Sequence, residues 1–592
     1  MSGRHKAMRQ DAQTTPTSPS QTADAATGAV GHICAWASGA FTTLILFAAT
    51  VLFAGLSVAS AVLTVQGRDF SMTWATISTY NAIPVIVGLV LWCAVALWVV
   101  RRQTVPGHRR IALIGFWVSF LLSLAWIFIS CSGPARDSYD VSGAAWAMLG
   151  DEIVPESMKS WAAHGRFVWG IEMPEGMPSN ESYLGRNPHQ LLLVAMLELC
   201  QLVAGTGFAQ LFQVLNAFVN GATWFVLIEL TYELCRDDRA AVFALGICAL
   251  FNPIVLYATF IYGNSLALLL DLLAWWLTLR ALREGVSTRM QMLQLLGASA
   301  LLALGALVKQ TMVIVSIAFA VTIVAHMVRT RSVRIVPFIV LPFLLYSVTN
   351  GALLAHYEQK TGSQLIGQPK LTWIVMGLGG GREYDAAATG NPALADDLGY
   401  PGYFDAYVFK SPKQEGFASI DEMNAYTLKL RLQHFKRDPA FTLRFFGRKL
   451  ATEWLEPTYE CLRVSNYDGE PGNPATVLAD KSREYTVVGR HFYYGRLNSA
   501  IICLADLAQS LVYFGALAYC AKALHDRRGA KLGTAELLPL ILILGSVVLY
   551  VVWESKSMYL MPYIVFMVPQ ASVGWIWAAH AVRTHDISTH MH

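Results

Sequence analysis

Asp137 and Asp140 stand three residues apart in Ser132-Gly-Pro-Ala-Arg-Asp-Ser-Tyr-Asp140, directly after a long apolar run. If this stretch begins a helix, the two carboxylates share a face. Partial loss of water at the edge of an apolar layer raises a carboxylate's pKa. Such a group can take a proton from an acceptor hydroxyl. With a divalent cation the pair would instead hold a phosphate. The plainer alternative is an Asp137 helix cap or an ion pair with Arg136. Further along, Tyr183-Leu-Gly-Arg-Asn-Pro-His-Gln190 precedes another apolar run. Pro188 suits a first helical turn, where its missing N–H costs nothing. Arg186, His189 and Gln190 would then gather at a helix N-terminus, a natural anion site, although simple capping accounts for the same residues. Lys309 is the only charged residue between Arg289 and Arg329. It is either an interfacial anchor or a cation reserved for a phosphate. Two more polar stretches interrupt apolar runs: Asn252-Pro253 with Tyr257, Phe260, Tyr262 and Asn264, and Trp553-Glu-Ser-Lys-Ser-Met-Tyr559.

The elements that must position these residues are membrane helices. The 592 residues are 55% hydrophobic and 14% charged, with mean hydropathy +0.43, whereas soluble domains carry about 25% charged residues. This excludes a cytosolic enzyme, a disordered regulator and a nucleic-acid binder. Apolar spans fall at 33–64, 82–100, 111–131, 209–233, 240–257, 263–282, 292–308, 311–328, 335–355, 499–521, 535–552 and 558–580. A backbone in lipid must satisfy its own hydrogen bonds, so each is read as a helix. The expectation is an all-α polytopic protein of about twelve crossings. The stretch 190–204 is ambiguous; counting it as a crossing would invert every later loop, so it is read as lying in the outer interface or dipping in and out. The nine cysteines are scattered, mostly within apolar segments, and form no CxxC or Cys/His ligand spacing; they read as small hydrophobes.

Arginine and lysine set the orientation. With both termini cytoplasmic, one face collects Arg101, Arg102, Arg109, Arg110, Arg236, Arg239, Arg280, Arg283, Arg289, Arg329, Arg331, Arg334, Lys522, Arg527, Arg528 and Lys531. The opposite short loops hold Arg68, Lys309 and Lys556. Residues 1–30 read as a disordered cytoplasmic tail without a cleavable leader. Residues 31–110 carry two crossings ahead of a core at 111–355, whose outer loop is 132–208. An extracytoplasmic segment follows at 356–498, and the last crossings and a short cytoplasmic tail at 499–592. Within 423–455, Leu and Phe alternate with Lys429, Arg431, Lys436, Arg437, Arg444, Arg448 and Lys449. This is the pattern of basic amphipathic helices at a membrane surface, or of helices packed on their own domain.

The order of short motifs resembles GT-C membrane glycosyltransferases of family 39, the protein-mannosyltransferase and aminoarabinose-transferase kind, in a bacterial branch. The residues that carry the resemblance are Asp137, Val141, Ala144, Gly150-Asp151, Tyr183 and Pro188-His189-Gln190. Pro253, Tyr257, Phe260, Tyr262 and Gly263 follow, then Trp373 to Leu378 with Gly379 to Gly381, and finally Glu554, Tyr559 and Leu560. Many relatives carry Arg directly before the late Tyr; here Met558 stands there and Lys556 is the nearest cation. The resemblance implies an outward-facing site and a polyprenyl-phosphate sugar donor. It implies Asp137 as general base on the acceptor hydroxyl, with Asp140 as neighbour or substitute. Arg186, His189, Lys309 and Lys556 become candidates for the donor phosphate, and Tyr262, Glu554 and Tyr559 for the sugar pocket. No resident cofactor or metal is assigned, and a divalent cation stays open. The partners implied are the lipid-linked donor, membrane lipids and an extracytoplasmic glycan, lipid-linked polymer or protein acceptor. A transporter of lipid-linked glycans and a non-catalytic membrane scaffold are the rival readings.

Overall fold

The computed structural model describes residues 19–67, 74–134, 137–172, 182–380, 390, 412–413, 415–465, 486–525 and 532–589. Arg68, Arg136, Gly381, Arg527, Arg528 and Lys531 lie outside these, as do residues 1–18 of the expected tail. Helix α1 (Pro19–Val62) begins inside that tail, because its Ala-rich stretch has high helix propensity. A two-stranded antiparallel ribbon, β1 (Thr64–Gln66) and β2 (Thr76–Ser78), leads into α2 (Ala82–Arg101). This ribbon was not expected from the apolar pattern.

The core follows as α3 (His108–Ser130), α4 (Asp137–Leu149), α5 (Lys159–Trp169), α6 (Tyr183–Arg186), α7 (Leu191–Ala204), α8 (Phe208–Cys235), α9 (Asp238–Leu250) and α10 (Pro253–Leu256). Next come α11 (Asn264–Ala281), α12 (Thr288–Val308), α13 (Val313–Thr330), α14 (Pro337–Thr361) and α15 (Lys370–Gly377). The chain closes with α16 (Ile420–Arg437), α17 (Pro439–Trp454), α18 (Cys461–Ser465), α19 (Val487–Tyr494), α20 (Arg496–His525), α21 (Leu538–Val552), α22 (Ser557–Phe566) and α23 (Val568–Thr589).

Among the described residues, nine helical stretches are long and apolar enough to cross a membrane, or eleven when two bent pairs each count as one span. The bends come at Leu250–Pro253, by 55°, and at Phe566–Val568, by 52°. Of the twelve expected spans, 263–282 forms α11, which is not among these; Asn264, Asp271 and Arg280 dilute its apolar content. The ambiguous 190–204 runs through a 3₁₀ turn into α8, making Pro188–Cys235 one apolar stretch of 48 residues. At 1.5 Å per residue that is about 70 Å, far more than the ~30 Å of hydrocarbon. Helix α7 packs on α4, α8, α12 and α14, and leaves Leu199, Leu202 and Val203 exposed.

Helix α3 pairs with α8, α11 with α12, and α20 with both α1 and α23, so the N-terminal helices are packed into the bundle. The basic loops meet at one end. Arg239 donates to Arg102 O at 3.1 Å, Arg283 to Glu233 O at 3.1 Å, Arg583 to Val100 O at 3.2 Å, and Arg329 to Leu532 O. Helix α3 runs away from that end, and at its far end Trp126 Nε1 donates to Leu256 O and Thr259 Oγ1. The polar stretches singled out above gather there.

Candidate functional site

Asp137 and Asp140 both fall in the first turn of α4, where the partial positive charge of a helix N-terminus favours carboxylates. The helix is fixed from two sides. Ser138 Oγ donates to Ile261 O at 2.8 Å, and Trp169 Nε1 of α5 donates to Ala144 O at 2.9 Å. The two aspartates then face different partners. Asp137 is exposed and contributes its charge to Tyr262 and Lys309. Asp140 is half-buried, and His164 of α5 sits 2.8 Å from its Oδ1. Burial raises the Asp140 carboxyl; the hydrogen bond and charge of His164 oppose the rise and Asp137 adds to it.

Tyr262 is brought to Asp137 by the loop between α10 and α11. Gly263 follows it, and a Cβ there would stand 2.2 Å from Val308 O. The motif glycine therefore lets this loop touch the backbone at the end of α12, one residue before Lys309. Lys309 Nζ consequently lies 4.4 Å from the centre of the Tyr262 ring and 5.3 Å from that of Tyr559, an ammonium between two aromatic faces. The Tyr262 hydroxyl accepts from Gln190 Nε2 and is hydrogen-bonded to the Tyr183 hydroxyl. Burial raises the Tyr183 and Tyr262 hydroxyls, and Asp137 adds to the effect. Burial pulls the Lys309 ammonium down to about 8, against the pull of Asp137 and Glu554 and with the help of Lys556.

The hairpin between α21 and α22 completes the cluster. Glu554 is buried and its Oε1 accepts from Tyr559 OH at 3.3 Å, with Lys556 Nζ 3.9 Å away. Burial raises the Glu554 carboxyl, opposed by Lys556, Tyr559 and Lys309. Met558 is buried, so Lys556 is the cation this hairpin presents. The hairpin is held by α15 and α17. Glu554 N–H donates to Trp373 O at 2.8 Å, and a Cβ on Gly377 would meet Trp553 C at 2.1 Å. Lys449 of α17 is wholly buried and its Nζ donates to Gly377 O at 2.6 Å, Trp553 O at 2.8 Å and Val551 O at 3.1 Å. Glu453, one turn on, lies 3.8 Å from it. Arg431 of α16 is also wholly buried and donates to Leu378 O and Gly379 O. These two cations of the basic stripe thus point inward, to the Gly377, Leu378 and Gly379 carbonyls at the end of α15; Lys429, Lys436, Arg437 and Arg444 remain exposed.

The predicted residues Asp137, Tyr262, Lys309, Glu554, Lys556 and Tyr559 therefore meet, with Tyr183 and Gln190. His189 is half-buried in the 3₁₀ turn Pro188–Gln190 and lies within the field of Lys309. Arg186 ends α6, half-buried, and its carbonyl accepts from Gln368 N–H at 3.0 Å. His164 and Lys449 were missed. The spacing of Trp161, His164 and Phe167 on one helix face, and the i,i+4 pair Lys449–Glu453, were the available signals. Among the described residues no group of three or more His, Cys, Asp and Glu side chains is placed to hold a metal ion. Comparison with family models, with curated proteins and with solved structures finds no match. What the arrangement can do chemically rests on its own geometry: two cations and a tyrosine donor facing a carboxylate can hold an anion beside a base.

Proposed function

We propose that this chain is an integral membrane glycosyltransferase of the GT-C kind. It transfers a sugar from a polyprenyl-phosphate donor to an acceptor outside the cytoplasm. The observation that carries the reading is the meeting of Asp137, Lys309 and Lys556, from three separate stretches, at the bundle end opposite the basic loops. By the bias of arginine and lysine the end of the basic loops is cytoplasmic and the site faces outward. A lipid donor would explain a polar site set at the ends of apolar helices.

In this mechanism Asp137 takes the proton of the acceptor hydroxyl. The oxygen's electron pair forms the new bond to the anomeric carbon, and the bond from that carbon to the phosphate oxygen breaks. The electron pair leaves with the lipid phosphate, and the configuration inverts. Lys309 and Lys556 meet the charge that develops on the leaving phosphate, and the Tyr262 hydroxyl donates to the same oxygens. Such preset donors act most strongly in a site shielded from water. Asp140, engaged by His164, supports the turn that presents Asp137.

The test is transfer in membranes holding wild type, Asp137→Asn or Asp140→Asn, supplied with a panel of radiolabelled polyprenyl-phosphate sugars. Loss of donor and label in lipid, protein and polymer fractions are both scored. Transfer by wild type that vanishes in Asp137→Asn at equal protein level is the expected result. An Asp137→Asn chain that still rescues a deletion strain would sink the reading. A transporter of lipid-linked glycans is the second reading, and one observation favours it: Asp271 is wholly buried within α11, and neither carboxyl oxygen has a hydrogen-bond partner among the described residues.

A further inference from the structure

Beside the paired aspartates, α4 and α5 present a strip of aromatic rings. The Tyr139 and Trp161 rings stack with centroids 4.7 Å apart and planes 19° apart. His164 lies 5.3 Å from Tyr139, and Phe167 lies 6.4 Å from His164, stacked at 30°. The strip is open to solvent: Tyr139 is 39% exposed and Phe167 38%. It is also rigid. Trp161 Nε1 donates to Tyr139 O at 2.9 Å, and Phe208 packs edge-on beneath the Trp161 ring at 5.7 Å. The hydrogen bond from His164 to Asp140 makes the strip continuous with the carboxylates.

We propose that this strip docks the sugar rings of a neutral glycan acceptor and leads its terminal hydroxyl to Asp137. The inference rests on the glycosyltransferase reading and names its acceptor class. Pyranose rings present flat faces of C–H groups, which pack on preset aromatic faces at little entropic cost, while their hydroxyls need hydrogen-bonding groups at the rim. The rim supplies them: Arg166 bridges Asp151 at 3.3 Å and Glu172 at 2.7 Å, and Lys159 pairs with Glu156. Asp151, Glu152, Glu156 and Glu172 outnumber Lys159 and Arg166 along this loop. That charge suits hydroxyls and repels a phosphorylated or acidic chain. It also separates the acceptor path from the donor side, where Lys309 and Lys556 stand.

The test uses the full chain in lipid nanodiscs and measures binding apart from transfer. Maltohexaose, mannohexaose and a galactose hexamer are the neutral probes; a galacturonic-acid hexamer is the anionic one. Saturation-transfer NMR and titration read affinity for wild type, Tyr139→Ala, Phe167→Ala and Tyr139→Phe. The expected result is that a neutral hexamer binds wild type. Tyr139→Ala and Phe167→Ala each weaken it about tenfold, the loss of one stacked ring. Tyr139→Phe, which keeps the ring, binds as wild type. No binding of any neutral hexamer, unchanged affinity in both alanine variants, or equal binding of the acidic hexamer overturns the inference. If glycans bind as expected but no lipid-linked sugar is consumed, the transferase reading fails and the surface stands. If transfer proceeds and the acceptor KM does not rise in Tyr139→Ala, the surface fails and the transferase stands.

Discussion

Replacing Lys449 with methionine keeps most of the side chain's volume and removes one ammonium from a dry place. That ammonium donates to three main-chain carbonyls, Gly377 O, Val551 O and Trp553 O, and faces Glu453. Burial pulls the Lys449 ammonium down and pushes the Glu453 carboxyl up, each opposed by the partner's charge. Removing one member of a buried pair strands the other and costs about 3–5 kcal/mol. The three carbonyls lose their donor in the same step, so the upper end of that range is expected. Against a total stability of about 5–15 kcal/mol this is a large loss. Lys449→Met/Glu453→Gln should recover part of it, because no carboxyl is then stranded. The assay is thermal and denaturant unfolding of the full chain in nanodiscs, with donor KM measured alongside. Since the carbonyls belong to the two runs that present Glu554 and Lys556, donor KM should rise even where Lys449→Met remains folded. A single variant within about 1 kcal/mol of wild type, with unchanged donor KM, would refute the argument that Lys449 holds the hairpin in place.

Three further results are expected. Gly263→Ala and Gly377→Ala should each lower stability by about 1–3 kcal/mol, because the new methyl meets main-chain atoms; Gly545→Ala, with nothing within 4 Å, is the control and should be neutral or stabilising when melted in parallel. The Lys309 ammonium, pulled down to about 8, is charged below that pH and neutral above it. The kcat/KM for the donor should therefore fall as pH rises through about 8, kcat should break at higher pH because bound phosphate favours the charged form, and Lys309→Arg should abolish the alkaline limb; a profile flat to pH 10 in wild type refutes this role. Asp271→Leu should cost no stability, since an unpartnered buried carboxyl is removed. Retained transfer in that variant places Asp271 outside the reaction, and lost transfer at full stability would make it part of the enzyme's working machinery.

Charge, hydropathy and spacing made the helical membrane architecture legible, because lipid leaves the backbone few choices. They missed what polar detail decides. The bends at Leu250–Pro253 and Phe566–Val568 interrupt runs that read as continuous, since a proline near a helix start and a packed break leave the hydropathy unchanged. The inward turn of Arg431 and Lys449 was equally hidden: in a stripe of alternating leucine, phenylalanine and cation, nothing local says which cations find buried carbonyls. Lys309 was legible as a lone charge in an apolar stretch and Asp137 as the start of the outer loop after one, whereas the roles of Tyr262 and Glu554 came from the motifs that carry the resemblance. His164 showed only in its spacing with Trp161 and Phe167, and its partner Asp140 stands on another helix.

The motif glycines show why short patterns of this kind carry information. Gly263 and Gly377 sit in different loops, yet each marks a place where one backbone touches another, Val308 in one case and Trp553 in the other. The first contact sets Lys309 over Tyr262, and the second sets the hairpin of Glu554 and Lys556 against α15. A Cβ at either position would drive the loops apart and separate Lys309 from the carboxylates by the thickness of a methyl group. Cation–carboxylate attraction falls with distance, and water entering the gap would weaken it further. The glycines and the charged residues are thus one device: the small residues close the backbone, and the closed backbone brings side chains from five stretches to one point. A sequence pattern pairing a chemistry-bearing residue with a neighbouring glycine, as Tyr262-Gly263 does, reports both the group and the approach it requires.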